Sequence, residues 1–486
     1  MTRTIGPIKI SHPGCFYIGG RWVRPLAALD FPVVDPSTEE PHAGFVVGGP
    51  EDVDAAVAAA RAAFDEGTWA NLAPQERARR VNALADGLDA RRAELEEAWT
   101  LQTGALAMMR PRAVTNGIQH LRLAARLGES LAFEQRVLST VGDALIRREP
   151  VGVVAAIAAW NGPLLQLASK VGPALVAGCT VVMKPAPSTP IEAILIAECA
   201  EAAGIPPGVL NLVVLDRAEA ERLVADPRVD KVAFTGSTAV GRQIARVCAD
   251  RLARCTLELG GKSAAIVLDD ADLAMVGKTM GRTITALSGQ LCSMLSRVIV
   301  TARRHDALAE AIAAEMATVQ IGDAHDPATQ MGPLASRRQL DTVQSYIAQG
   351  RAGGARLVHG GQRPAHLARG YFIEPTLFAD VASDAALAQE EIFGPVLSLI
   401  RARDEDDAIR IANQSIYGLH GAVFTPDKGK ALTVARRVRT GTFAQNGMRL
   451  DFSLPFGGCK QSGIGREGGD DALAPYLETK TVILDA

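Results

Sequence analysis

The chain lacks what several protein classes require. Its seven cysteines, at positions 15, 179, 199, 248, 255, 292 and 459, are odd in number and free of CxxC spacing. That argues against a cysteine-held zinc cluster and for reduced thiols in a cytoplasmic setting. A net charge of −3 over 486 residues leaves no basic footprint for nucleic acid and no polybasic patch for a membrane surface. Residues 1–16 contain no apolar run of signal-peptide length. There is no internal repeat, low-complexity tract or long linker, and none of the eight histidines falls inside a motif, which weakens a cysteine hydrolase built on a Cys/His pair. The spacing of Gly236 and Gly241, Gly-x4-Gly, is not that of the ordinary dinucleotide fingerprint either.

What is present is the composition of a globular protein, 48% apolar and 22% charged. At 486 residues the chain exceeds one ordinary core, so two or three domains are expected. Residues 151–169 carry no charge and are long enough to suggest a membrane span. Asn161-Gly162-Pro163 would break a helix in the middle of that stretch. A buried parallel strand, a turn and a buried helix fit the same residues better.

Taken in order, residues 17–22 read as a short strand and turn. Pro50 opens a helix with Val53, Val57, Ala60 and Phe64 on one face, and Pro74 opens another with Val81, Leu84 and Leu88. Residues 137–141 and 144–148 flank Gly142-Asp143 as a hairpin, and 479–484 is strand-like with an open edge. From 151 onward strands alternate with helices. Strands are expected at 151–158, 180–184, 209–214 and 231–235, then at 263–268, 297–301, 396–400 and 422–424, with helices at 306–316, 336–351 and 404–414. Short crossovers of this kind give parallel sheets with helices on both faces, hence an α/β protein of two such units.

Six short motifs carry the chemistry. Trp160-Asn161-Gly162-Pro163 follows one apolar strand. Gly236 and Gly241 bracket a turn from another strand into a helix, where a pyrophosphate can meet backbone N–H groups, with Ser237 as cap or phosphate contact. Then come Leu257-Glu258-Leu259-Gly260-Gly261-Lys262, Ser288-Gly289-Gln290-Leu291-Cys292 and Glu391-Ile392-Phe393-Gly394-Pro395. Last is Pro455-Phe456-Gly457-Gly458-Cys459-Lys460 with Ser462-Gly463-Ile464-Gly465-Arg466-Glu467. Each alone has a bland reading: an unpaired cysteine is usually a small core hydrophobe, Asn161 a turn residue, Glu258 a structural carboxylate, Glu391 a solvated charge, Phe393 a core aromatic.

In this order the set resembles the aldehyde dehydrogenase superfamily, from about Tyr17 to the C-terminus. The resemblance implies two doubly wound parallel-sheet domains, one Rossmann-like and cofactor-binding (1–131 and 151–259), the other catalytic (260–447). It further implies a small β oligomerisation arm (132–150 and 476–486) and a substrate-tunnel and return segment (448–475). The residues alone fit plain edge strands in place of the arm equally well.

The resemblance assigns Cys292 as nucleophile, Asn161 as oxyanion donor, Glu258 as the base for hydrolytic water and Lys170 as an aid to proton relay. It places Trp160, Lys184, Gly236, Ser237, Gly241, Leu259, Glu391 and Phe393 around the nicotinamide cofactor and implies no metal. NAD is expected, with NADP open because position 187, often a glutamate in NAD-preferring members, is proline. The presence of Glu258 favours hydrolysis to the free acid over transfer to coenzyme A. A homodimer or homotetramer is implied.

Departures bear on substrate. Glycine stands at 162 where the family commonly has an aromatic, serine at 169 where tryptophan is frequent, and residues 447–453 lack the usual aromatic pair. Smaller walls imply a wider tunnel and a bulky or polar aldehyde, with Arg449 a candidate partner for an anionic one. A non-catalytic protein of the same fold is the competing class.

Overall fold

The computed structural model describes residues 2–26, 28–42 and 44–485. Two sheets dominate. In the first, five parallel strands lie in the order Arg254–Glu258, Lys231–Thr235, Val153–Ile157, Thr180–Lys184, Leu210–Leu212. The chain starts this sheet in the middle at Val153–Ile157, builds outward through Thr180–Lys184 and Leu210–Leu212, then returns to build the other side. Antiparallel strands close the edges, Phe16–Ile18 with Arg21–Val23 on one side and Gly463–Ile464 on the other. The strand order reverses between Val153–Ile157 and Lys231–Thr235, and in such sheets the crevice beyond the strand ends at that reversal is where ligands bind.

The second sheet has seven strands, in the order Arg356–His359, Thr376–Ala379, Val396–Ala402, Leu295–Thr301, Ser263–Val267, His420–Phe424, Thr442–Gln445. All neighbours are parallel except the edge pair Arg356–His359 with Thr376–Ala379. Each sheet buries apolar residues on both faces, Val154 and Ala156 on one side of the first and Val153, Ala155 and Ile157 on the other. This two-sided burial is why the strands read as unbroken apolar runs without alternation.

The expected helices are present as Pro50–Asp65, Pro74–Ala90, Ala302–Met316, Arg337–Ala352 and Glu405–Asn413. Residues 151–169 divide into the strand Val153–Ile157 and the helix Pro163–Ala177, and among the described residues no helix is long and apolar enough to cross a membrane.

The differences are local. The predicted strand 209–214 shrinks to Leu210–Leu212. The hairpin turns at Thr140-Val141, not at Gly142-Asp143: Ser139 pairs with Gly142, and the Ser139 hydroxyl closes the turn by donating to Gly142 O at 2.7 Å. Its strands Glu134–Ser139 and Gly142–Pro150 join Leu477–Leu484 in a three-stranded sheet. The hairpin Arg3–Ile5 with Ile8–Ile10 and the helices Arg92–Thr103 and Arg110–Ser130 have no counterpart in the sequence reading. In Arg110–Ser130 the buried stripe Val114, Ile118, Leu121 and Ala125 is diluted by Gly117 and by four arginines.

Candidate active site

The loop carrying Cys292 is built around an unusual backbone. Leu287, Ser288 and Gly289 take φ of 47°, 52° and 76° in succession, a left-handed run that costs energy for the two residues bearing a Cβ. Tertiary contacts hold it. Ser288 Oγ donates to Gly332 O at 2.8 Å, and the fully buried Gln290 donates from Nε2 to Leu287 O at 2.9 Å while its Oε1 accepts from Ala335 N at 2.9 Å. A Cβ on Gly289 would stand 2.2 Å from Gly394 O, so the loop packs directly on Phe393-Gly394-Pro395. Gly261 plays the same part on the other side: a Cβ there would stand 2.2 Å from Cys292 O. Gly289, Gln290 and Gly261 are thus packing requirements of one half-buried cysteine.

Asn161 and Glu258 face the same space. Asn161 sits in the turn between Val153–Ile157 and Pro163–Ala177, and its Nδ2 donates to Gln290 O at 3.0 Å, two residues before Cys292. Glu258 ends the strand Arg254–Glu258. The three side chains line one cavity of about 430 Å³, within the range of small-molecule sites. Both Glu258 carboxylate oxygens are buried and have no hydrogen-bond partner among the described residues. Burial, then the Glu467 carboxylate, push the Glu258 pKa well above the ordinary carboxylate range, against the opposing pull of Lys170 and Arg466. Burial first, and the charges of Glu391 and Glu258 second, push the Cys292 thiol up to about 12.

Lys170, fully buried, donates from Nζ to Thr235 Oγ1 at 2.6 Å and to Glu467 Oε1 at 2.8 Å. Glu467's second oxygen accepts from Ser169 Oγ at 2.7 Å. Glu467 belongs to the terminal motif, yet nothing in the sequence assigns it a place; its link is to a lysine 297 residues away. Gln166 and His120 also line the cavity, and no motif marks either of them. Burial pulls the His120 pKa down to about 4. No histidine among the described residues bonds to Cys292, so the Cys/His hydrolase finds no pair here.

Contacts tie several of the cofactor-assigned residues to this site. Gly236 N donates to Glu258 O at 3.0 Å, so the glycine turn touches the strand end that carries Glu258. Ser237 caps the helix Thr238–Asp250, accepting from Val240 N at 3.4 Å. A Cβ on Gly241 would stand 2.4 Å from Leu259 Cδ2, so Leu259 braces the turn. The Lys184 ammonium, at its strand end, makes no hydrogen bond among the described residues, and burial pulls its pKa down to about 8 against the pull of Asp216. Glu391 Oε1 accepts from Gly261 N at 2.9 Å; burial raises its pKa to about 7, opposed by that N–H and by Lys262. The Trp160 and Phe393 rings meet edge to face at 5.4 Å, and Gln339 Nε2 holds the Phe393 carbonyl at 2.7 Å. A helix N-terminus, an unspent ammonium and a buried carboxylate fit a pyrophosphate, an adenosine ribose and a second ribose.

The cavity wall is apolar: Trp99, Met108, Met109, Leu165, Phe452 and Phe456 line it. Residues 447–453 do supply an aromatic, Phe452, which packs against Phe456 at 5.6 Å. Arg449 is exposed and lies outside the lining; its carbonyl meets His420 Nε2 at 3.4 Å. The suggested pairing of Arg449 with an anionic substrate has no support in this geometry. A histidine and two aspartates, His305, Asp306 and Asp380, bring possible metal-binding atoms within 4.8 Å, but Arg356 and Arg401 already pair with both carboxylates.

A half-buried thiol and a buried carboxylate share a cavity wall with an amide donor, between the strand end of one doubly wound sheet and the loop that leads into the other. These features match what the resemblance to the aldehyde dehydrogenases implies for this chain. Comparison with known proteins agrees: the aldehyde dehydrogenase family model matches residues 22–482, and the chain belongs to that family. It is 44% identical to geranial dehydrogenase of Castellaniella defragrans, over 98% of this chain and 100% of that one. It is 41% identical to 3-succinoylsemialdehyde-pyridine dehydrogenase of a Pseudomonas species, over 96% and 98%. Among solved structures, Mycobacterium tuberculosis aldehyde dehydrogenase complexed with NAD+ superposes with a TM-score of 0.94 at 41% identity, covering 97% of this chain and 98% of that one. A mutant aldehyde dehydrogenase C from Pseudomonas syringae, complexed with NAD+ and octanal, also gives 0.94, at 38% identity and 98% of both chains.

Proposed function

We propose that this aldehyde dehydrogenase oxidises an apolar aldehyde to its carboxylic acid with NAD, using Cys292 as nucleophile. The observation that carries the reading is the convergence of Cys292, Asn161 and Glu258 on one cavity beside the Gly236–Gly241 turn.

The Cys292 sulfur adds to the aldehyde carbon, forming a thiohemiacetal whose oxygen gathers negative charge. Asn161 Nδ2 and the backbone N–H of Cys292 are the donors for that oxygen, and fixed donors of this kind are usually the largest catalytic contribution. Lys184, the Ser237 helix end and Glu391, with Trp160, Leu259 and Phe393 packing around, would hold NAD, which when bound would accept the hydride that the thiohemiacetal carbon loses as it becomes the thioester. Glu258 then takes a proton from water as that water attacks the thioester on Cys292. Lys170 and Glu467 hold a charged pair on its far side, suited to passing the proton outward. Pro187 leaves no carboxylate to repel a 2′-phosphate, so NADP serves as the weaker alternative. The three-stranded arm, with Leu138 95% exposed, supports a homodimer or homotetramer.

The apolar wall and the small residues Gly162 and Ser169 favour a bulky or elongated apolar aldehyde, in keeping with the similarity to geranial dehydrogenase and to the octanal-bound aldehyde dehydrogenase C. The deciding experiment follows NAD reduction with acetaldehyde, octanal and geranial, beside Cys292→Ser. Expected is turnover highest on the larger aldehydes and none in the variant. Turnover without NAD, or undiminished in Cys292→Ser, would overturn the mechanism.

A further inference from the structure

The oxyanion donor is useful only if its amide faces the right way. A carboxamide has an acceptor end and a donor end of nearly equal shape, and a half-turn of Asn161 would present its oxygen, not its N–H, to the developing negative charge. The structure assigns the setting of that amide to Gln166, a positioning residue one turn into the helix Pro163–Ala177. The inference rests on Asn161 acting as the oxyanion donor.

Three hydrogen bonds form a chain whose direction is fixed at one end. Ala159 N donates to Gln166 Oε1 at 2.7 Å. A backbone N–H can only donate, so this end of Gln166 must be its oxygen. The other end is therefore the amide nitrogen, which donates to Asn161 Oδ1 at 2.8 Å. With its oxygen spent there, Asn161 must turn Nδ2 the other way, where one N–H meets Gln290 O at 3.0 Å. That carbonyl can only accept, so the far end of the chain agrees with the near end. The second Nδ2 hydrogen is left for the cavity that Asn161 and Cys292 share. No single flip of either amide keeps all three bonds. Both Gln166 and Asn161 line the cavity, so the constraint sits within the wall that would meet substrate.

The carboxylate introduced by Gln166→Glu would still accept from Ala159 N but has no donor for Asn161 Oδ1. Asn161 would then be drawn to turn its nitrogen toward that carboxylate and its oxygen toward the substrate. Gln166→Met keeps the length and removes both bonds, leaving Asn161 unpinned.

The test compares Gln166→Glu, Gln166→Met, Asn161→Ala and the double variant Asn161→Ala/Gln166→Glu, with octanal and NAD. Asn161→Ala is expected to lower kcat by about 10²- to 10³-fold, the usual loss on removing one oxyanion donor. Gln166→Glu should approach that loss and Gln166→Met should fall roughly 10- to 100-fold, as for a misplaced catalytic group. The double variant should be no slower than Asn161→Ala. In all four, NAD binding by fluorescence titration should match wild type. The isotope effect with octanal deuterated at its aldehyde carbon should rise in the Gln166 variants as the carbonyl chemistry becomes limiting. A damaged fold would instead move NAD affinity and add to the Asn161→Ala loss. If Asn161→Ala is slow while both Gln166 variants keep wild-type kcat, the positioning role is wrong and the enzyme reading stands. If Asn161→Ala itself keeps wild-type kcat, the oxyanion assignment falls and the positioning role falls with it.

Discussion

Glu258 is the residue on which the chemistry and the stability of this protein pull in opposite directions. Its carboxyl is held well above the ordinary range by burial and by Glu467, and neither oxygen has a partner among the described residues. Between the ordinary carboxylate pKa and the raised folded value, the unfolded chain has shed this proton while the folded one retains it. Unfolding there releases a proton, so raising the pH through that window weakens the fold. An amide in place of the carboxyl mimics the protonated group and escapes the penalty. Glu258→Gln should therefore raise the melting temperature relative to wild type at pH 8, with little difference near pH 4, where the carboxyl is largely protonated whether the chain is folded or not. A melting difference that is equal at both pH values would show that the group titrates normally. The same substitution should leave the thioester without a base, so that each active site produces one NADH in a burst and then stalls. Steady turnover of Glu258→Gln would remove the residue from the hydrolytic step. Because Cys292 is pushed up to about 12 partly by the Glu258 charge, its alkylation by iodoacetamide should begin at lower pH in the variant.

At the scale of elements, the parts legible in the sequence are those in which the backbone itself touches something. Gly289 against Gly394, Gly261 against Cys292 and Gly241 against Leu259 are close approaches that no larger residue fits, and each stands inside a motif visible in the sequence. The parallel strands are legible for a related reason, since burial on both faces writes an apolar run. Gln166 and His120 are not legible, because their roles depend on which helix face meets the cavity, and Glu467 is not, because its partner Lys170 lies 297 residues away. Gln166 is an ordinary polar residue five positions past Asn161 until the turn and the helix are placed together. The helix Pro163–Ala177 also sets the tunnel. At Gly162 an added Cβ would meet nothing closer than Gln166 Nε2 at 3.7 Å, so the position has room toward the cavity. Gly162→Phe should fill part of it, lowering kcat/KM for geranial and octanal by roughly 10-fold or more while sparing acetaldehyde, about the discrimination an apolar pocket achieves per group of changed size. Unchanged relative rates across the three aldehydes would mean that the tunnel passes elsewhere.

For the whole molecule, the proposed mechanism draws its groups from both sheets, and neither sheet supplies them all. Glu258 comes from the end of a first-sheet strand, and Cys292 from the loop leading into a strand of the second. The return segment binds the two by adding Gly463–Ile464 to the edge of the first sheet and delivering Glu467 to Lys170. The three-stranded arm belongs to neither sheet. It pairs Gly142–Pro150 with Leu477–Leu484 over eight residues and leaves Glu134–Ser139 with a free edge, where Leu138 is 95% exposed. A long open edge carrying an apolar side chain is a template for pairing with another chain. If that edge extends a sheet of a second copy, Leu138→Lys together with Val137→Pro should reduce the assembly in solution, since proline removes a ladder donor and lysine discourages edge pairing. Light scattering on the eluting enzyme is expected to show a dimer or tetramer for wild type and a smaller species for the double variant. A wild-type chain that elutes as a monomer, or a double variant of unchanged mass, would leave the arm as an ordinary edge of a single chain.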